Sequence, residues 1–471
     1  MVDFSVIAAQ NPWWIEKKAI VEDIHIQGYE EAKVKRRPEI LGEFDLESDG
    51  VYVIRGPRQV GKTTLVKLLI KKLLKNLDSR RIFYFACDAS GIEKGSDLAE
   101  ALKLYISWAR SVLPKERLYI FIDEATYLSN WSLGIKATFD LGLLKKTSLI
   151  ATGSSAIDLK RGTERMPGRR GKKSGLDKTL IPMNFREFVN TLHPGVFKKF
   201  GSFPKWNQQT LFEAGESIAL YGRQLEGLFE RYLVTGGFPN PVSNEVSKGE
   251  IDLHIYEIYR DSTLGDLAKQ RKQERFLRQL LLWVERMLTT PIDWNDATRE
   301  TEIKHHETVR QYIEDLELSF IFNTIYRVKS IGKCLPSFRA GKKVYFNDPF
   351  ILHTLRWWVY SFSNPWRAAC EYVMNRENRG KLVETIVASH LKQHFNEIFH
   401  WKDTGEIDFI VCEEGDVKMM IEVKYRESVG PGDIRPLLSH GGGVVLTKKG
   451  LWFDRKRRTV FIPVYYFLAM L

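Results

Sequence analysis

Eight consecutive residues, Gly56-Pro57-Arg58-Gln59-Val60-Gly61-Lys62-Thr63, fit the spacing G-x-x-x-x-G-K-[ST], and Thr64 follows. Glycines at those places let backbone N–H groups close around phosphate oxygens, and a helix starting there adds the positive end of its dipole. Lys62 is then expected on the β- and γ-phosphates of ATP, and the Thr63 hydroxyl on Mg²⁺. A second acidic signal, Asp123-Glu124, closes the apolar run Leu118-Tyr119-Ile120-Phe121-Ile122. Asp123 is expected at the same metal and Glu124 on the attacking water. After the run Ser148–Thr152, the segment Gly153-Ser154-Ser155 offers Ser154 as a γ-phosphate sensor. The basic run holding Arg161, Arg165, Arg169 and Arg170 offers Arg169 as a charge-stabilising arginine, in cis or from a neighbouring subunit. The same run also reads as a solvated face or a phosphate-backbone contact.

A different carboxylate set lies near the C-terminus. Gly405-Glu406-Ile407-Asp408-Phe409-Ile410-Val411 is followed, after Gly415-Asp416, by Ile421-Glu422-Val423-Lys424. Two strands joined by a hairpin would carry Asp408 on one and Glu422 and Lys424 on the next, the latter two on one face. Asp408 and Glu422 could then hold Mg²⁺, with Lys424 orienting water or steadying negative charge. Glu384, on an upstream helix, is an additional candidate ligand. The bland alternative is an acidic–basic cluster that stabilises its domain or binds DNA passively.

The elements that must position these groups follow from periodicity. Val51–Ile54, Ile82–Cys87, Leu118–Ile122 and Ser148–Thr152 read as short buried strands separated by helical stretches. That alternation implies an α/β fold with a doubly wound parallel sheet. Arg161 to Lys173 breaks the pattern and reads as a loop. Residues from about 185 to 265 read as helical, punctuated by Gly236-Gly237-Phe238-Pro239. Helices continue to about 325, and beyond Asn364-Pro365 helix and strand alternate again.

At 471 residues the chain exceeds a single core. Its net charge of +12 and pI of about 9.2 favour an anionic partner such as nucleic acid. The 4 cysteines, Cys87, Cys334, Cys370 and Cys412, show no CxxC spacing, which argues against a zinc ribbon or a disulfide framework and suits a reducing compartment. No apolar run reaches the ~20 residues of a membrane span, and no signal peptide is evident, so a cytoplasmic location is expected. The aromatic segment Asn11-Pro12-Trp13-Trp14 is a candidate adenine contact.

Several of these segments, in order, resemble the prokaryotic, archaeal-type AAA ATPases of the STAND-related branch. They are Asn11–Trp14, Gly56–Thr64, Asp123-Glu124, Thr152-Gly153-Ser154, Gly168-Arg169, Pro182–Phe188 and Tyr232–Pro239. Pro182-Met183-Asn184-Phe185 departs mildly from the family's Pro-Leu-Ser-Phe. The resemblance implies a P-loop core with an N-terminal segment over residues 1–190 and a helical lid over 191–265. A winged helix over 266–350 and a domain related to PD-(D/E)XK nucleases over 351–471 would follow. In that frame Thr308–Ile313 is a recognition helix with His305, His306 and Arg310 exposed, and Lys343–Asp348 a wing strand. Asp408, Glu422 and Lys424, with Glu384, match the nuclease pattern. The implied activity is Mg²⁺-dependent ATP hydrolysis linked to nucleic acid, DNA favoured, with metal-dependent cleavage gated by ATP. The rivals are a STAND-like switch acting on a protein partner, and a DNA-binding regulator with a dead nuclease-like domain. A homo-oligomer is compatible with the family.

Overall fold

A computed structural model describes residues 3–171, 174–196, 207–269 and 272–471. The chain divides into two compact units, Met1–Ile181 and Pro182–Leu471.

In the first unit the four expected strands are β1 (Gly50–Arg55), β2 (Ile82–Ala86), β3 (Leu118–Asp123) and β4 (Thr147–Thr152). A fifth, β5 (Asp177–Thr179), joins them in the order β2-β3-β4-β1-β5, with all pairs parallel. β1 to β4 are buried on both faces, which is why each reads as a continuous apolar run, whereas the short β5 is polar and largely exposed. Val51, Val53, Phe83, Phe85, Ile120, Ile122 and Leu149 share one face and pack on helices Gly95–Val112 and Trp131–Asp140. The segment Arg161–Lys173 is not wholly a loop. Helix Ala156–Glu164 takes in Arg161, capped by the Ser155 hydroxyl, which accepts from Asp158 N–H at 3.2 Å. Lys172 and Lys173 lie outside the described residues.

β2 is an edge strand, and side chains of the N-terminal segment cap it where a sixth strand would pair. Asn11 accepts from Tyr84 N–H (2.7 Å) and donates to Tyr84 C=O (2.9 Å). The indoles of Trp13 and Trp14 donate to Ile82 C=O at 3.2 and 2.8 Å, and Gln10 accepts from Ala86 N–H at 2.6 Å. Covering an edge this way satisfies its backbone and blocks strand addition. Both tryptophans are therefore engaged in the edge cap through their indole N–H groups.

The second unit opens with helices, among them Phe185–Leu192, Gly222–Thr235, Glu274–Arg286, Trp294–Glu300 and His306–Leu318. Its eight-stranded sheet contains β6 (Phe322–Ser330), β7 (Lys333–Phe346), β8 (Glu397–Lys402), β9 (Glu406–Glu413) and β10 (Asp416–Lys424). β11 (Val444–Thr447), β12 (Trp452–Asp454) and β13 (Thr459–Pro463) complete the order β12-β13-β11-β10-β9-β8-β6-β7. The β6–β7 hairpin, expected as a wing, is thus hydrogen-bonded to β8 through Tyr326↔Phe399 and Arg327↔His400. The boundary drawn between residues 350 and 351 passes through one sheet. A further difference is the disulfide between Cys334 on β7 and Cys412 on β9. The scattered spacing hid this pair, because the two cysteines are 78 residues apart in sequence and sit on strands that are not neighbours in the sheet.

Candidate nucleotide site and carboxylate cluster

The loop from Gly56 to Gly61 leaves β1 and enters the helix Lys62–Leu74. Gly56 passes so close to the Leu180 carbonyl that a Cβ there would lie 2.0 Å from the oxygen, and Gly61 caps the helix at φ +98°. Only glycine meets both demands without strain. Gln59, at φ +62°, holds the left-handed conformation between them. Lys62 Nζ donates to the carbonyls of Gly56 (2.9 Å) and Pro57 (2.8 Å), so its ammonium is held against the loop. Arg36, from the basic stretch before β1, donates to Val60 C=O (3.3 Å) and Ile181 C=O (2.7 Å) and braces the loop from behind. Nothing in a basic run distinguishes such an arginine from a solvated one.

Asp123 ends β3, separated from the loop-bearing β1 by β4 in the sheet, and is 2% exposed. Its described partners are neutral: Tyr84 OH donates to Oδ2 at 3.0 Å, the Thr152 hydroxyl donates to Oδ1, and Glu124 N–H lies 3.2 Å from Oδ1. Burial, reinforced by the Asp123 charge, raises the Tyr84 phenol far above its ordinary range, so it stays a donor. Glu124 turns into the left-handed region (φ +50°) and its Oε2 accepts from Ser154 N–H at 2.9 Å. The strand-end polar group touching Asp123 is therefore Thr152, while Ser154 reaches Glu124 through its backbone. A hard dication fits this donor set, with the Thr63 hydroxyl and the Asp123 carboxylate as oxygen ligands.

Arg169 does not fit a role in cis. It pairs with Asp140 (2.8 Å) at the far end of helix Trp131–Asp140, and its neighbour Arg170 accepts through its carbonyl from Val51 N–H at 2.9 Å. That places it at the start of β1, whereas the phosphate loop follows its end, roughly 17 Å away at ~3.3 Å per residue.

In the second unit β9 and β10 form the expected hairpin, turning at Glu414 and Gly415. Asp408 and Glu422 meet: Asp408 N–H points at Glu422 Oε2 (3.4 Å), and Val423 N–H donates to Asp408 Oδ2 (2.9 Å). Lys424 Nζ bonds Glu422 Oε1, and Glu384 approaches from helix Arg376–His394. The unforeseen member is Lys343 of β7. Its ammonium, 1% exposed, lies 2.7 Å from Glu406, 3.1 Å from Glu384 and 3.1 Å from Asp408 Oδ1. Tyr345 OH also donates to Glu384 Oε1 at 2.7 Å.

Burial alone would push Lys343 down, but Glu384, Tyr345, Asp408 and Glu406 outweigh it and hold the ammonium well above the lysine range. Burial likewise favours a neutral Asp408, yet Lys343 and Lys424 keep it below the usual carboxylate range. Glu422 is raised by burial and by Asp408, so it takes the shared proton first. Both oxygens of Asp408 and both of Glu422 already have donors. The ammonium groups of Lys343 and Lys424 thus stand against Asp408 and Glu422, where the sequence reading put a metal ion. Among the described residues no group of three or more His, Cys, Asp or Glu side chains is arranged to hold a metal ion. The signal was present in the alternation of β7, where Lys343 and Tyr345 share one side of the strand and Val344 and Phe346 the other.

Beside Lys424, a cavity of about 600 Å³ is lined by Arg376, Glu377, Gly380, Val423, Lys424, Tyr425 and Arg426. Of its basic residues Arg426 is tied to Asp433 at 2.5 Å, while its buried Nε has no hydrogen-bond partner among the described residues.

Comparison with known proteins gives a match to the AAA domain over residues 48–189. Residues 226–359 match a domain of unknown function, DUF8612, and residues 379–467 another, DUF4143. The uncharacterized protein MJ1544 of Methanocaldococcus jannaschii is 23% identical over 87% of this chain and 82% of its own length. MJ1637 of the same organism is 29% identical over 79% and 75%. The Walker-type ATPase PABY2304 of Pyrococcus abyssi is 16% identical, covering 65% of this chain and 91% of that one, with a TM-score of 0.38. The Aeropyrum pernix ORC1 protein, solved in complex with DNA, is 13% identical, covering 76% and 98%, with a TM-score of 0.29. At these scores the structural likenesses carry no argument. No helix among the described residues is long and apolar enough to cross a membrane. The motif, the parallel sheet and the family match together make residues 48–189 an AAA-type P-loop ATPase domain.

Proposed function

We propose that the chain is a Mg²⁺-dependent ATPase that works with nucleic acid, DNA favoured. The observation that carries the first half is the placement of Lys62 after β1 and of Asp123 and Glu124 at the end of β3, the two strands that flank β4 in one parallel sheet, with Thr152 and Tyr84 orienting Asp123. Mg²⁺ bound with ATP would spread and neutralise the charge that develops on the phosphates. The residues of the chain supply the rest. Loop N–H groups and Lys62 hold the phosphates, Thr63 and Asp123 present oxygens, and Glu124 holds the water that attacks.

The nucleic-acid half rests on the charge of +12 and on the basic cavity at Arg376, Lys424 and Arg426. The exposed His305, His306 and Arg310 at the start of helix His306–Leu318 are the proposed winged-helix contacts. One observation favours a regulator with a catalytically silent C-terminal domain over an ATP-gated nuclease: the buried ammonium of Lys343 sits against Asp408, and that of Lys424 against Glu422. ATP turnover measured with and without duplex and single-stranded DNA tests the reading. Turnover that rises with DNA supports it. Turnover indifferent to both, with tight ATP binding, would redirect the search to a protein partner.

A further inference from the structure

We propose that Lys343 is the resident cation of the C-terminal carboxylate cluster, occupying the charge position a divalent ion would otherwise take, so that the domain holds no metal there. The inference stands on the second unit alone and does not depend on the nucleotide chemistry of the first.

Three observations carry it. The Lys343 ammonium sits within 3.1 Å of three carboxylates that approach from different directions, Glu384 from a helix and Glu406 and Asp408 from β9. That is how a bound cation, and not a surface ion pair, is surrounded. It is sealed from solvent, at 1% side-chain exposure, so it cannot swing out to admit a hydrated ion. The second oxygen of Asp408 accepts from Val423 N–H, and Glu422 is paired with the ammonium of Lys424. Mg²⁺ demands near-octahedral oxygens at about 2.0–2.1 Å and gives up its waters reluctantly. A dication sharing Asp408 with a buried ammonium would meet like charge at close range in a medium of low dielectric. The ammonium also has a structural consequence. It ties β7 to β9 and to helix Arg376–His394, as the Cys334–Cys412 bond ties β7 to β9 elsewhere.

The test is Mn²⁺ binding to the full chain without nucleotide, followed by electron paramagnetic resonance, in wild type, Asp408→Asn, Lys343→Met and Lys343→Met/Asp408→Asn. Wild type and Asp408→Asn are expected to bind the same number of ions. Lys343→Met is expected to gain one ion per chain, and the double variant to lose it. A wild-type ion that Asp408→Asn abolishes would overturn the proposal, as would a folded Lys343→Met variant that gains none. If Lys343→Met does not fold, the comparison of wild type with Asp408→Asn decides alone.

Discussion

Replacing Asn11 by alanine should unseat the N-terminal segment from the edge of the ATPase sheet. The asparagine is fully buried and makes three hydrogen bonds, to Ile7 C=O (2.8 Å), Tyr84 C=O (2.9 Å) and Tyr84 N–H (2.7 Å). Alanine leaves both backbone groups of Tyr84 without partners on a strand whose other side is already paired to β3. A buried polar group stripped of its partner costs about 1–3 kcal/mol, so the two together cost roughly 2–6 kcal/mol. A cooperative unit of about 180 residues has an unfolding entropy near 0.4 kcal/mol/K, so the midpoint should drop by roughly 5–15 °C. Differential scanning calorimetry of wild type and Asn11→Ala reads this directly. A drop below about 2 °C would refute the edge-cap argument, because it would mean that Tyr84 is satisfied by other means. Because Tyr84 also holds Asp123, the variant should lose ATP affinity along with stability.

The buried histidines of the second unit should each oppose folding in mild acid, while Asp348 and Glu384, raised chiefly by burial to about 7, and Glu422, raised to about 8, act in the opposite sense. Burial lowers His390 to about 3, and His353 and His400 each to about 4. Below pH 6.5 the unfolded chain takes a proton at each of these histidines that the folded one refuses, so each costs about 1.4 kcal/mol per pH unit as pH drops towards 4. Melting midpoints of wild type and His400→Gln across pH 7.5 to 4.5 test this: the variant should lose less stability towards acid, and parallel profiles would contradict it. Reducing the Cys334–Cys412 bond opens a separation of 78 residues and should remove about 4 kcal/mol by loop entropy. Calorimetry with and without reductant, with Cys334→Ser as control, checks the size. Arg376→Glu should weaken DNA binding across all sequences and lower the salt slope by about 1 or more, as expected for a phosphate contact. An unchanged slope in fluorescence anisotropy would remove the cavity from the binding surface.

What the sequence discloses and what it hides divides along contact range. The phosphate loop is legible because eight neighbouring residues carry its whole geometry. Asp123-Glu124 is legible because a strand end announces itself by an apolar run. Asp408 and Glu422 could be placed face to face because one hairpin joins their strands. Lys343 could not, since its partners lie 41 and 65 residues on and only the tertiary fold of the second unit brings β7 to them. Tyr84 and Arg36 escaped for the same reason, one as an aromatic inside an apolar strand and the other within a run of like charges. Asn11 and the tryptophans were conspicuous, but their chemistry depended on β2 being an edge strand, which periodicity does not show.

The central claim, that the first unit hydrolyses ATP through Glu124, is tested most directly by steady-state phosphate release from Mg·ATP, with ATP binding measured in parallel. Wild type should turn over, and Glu124→Gln should bind ATP with similar affinity while losing at least 10²-fold in rate, the loss expected for a residue that activates the nucleophile. Equal rates in the two proteins, or no turnover by wild type under any DNA condition, would contradict the account.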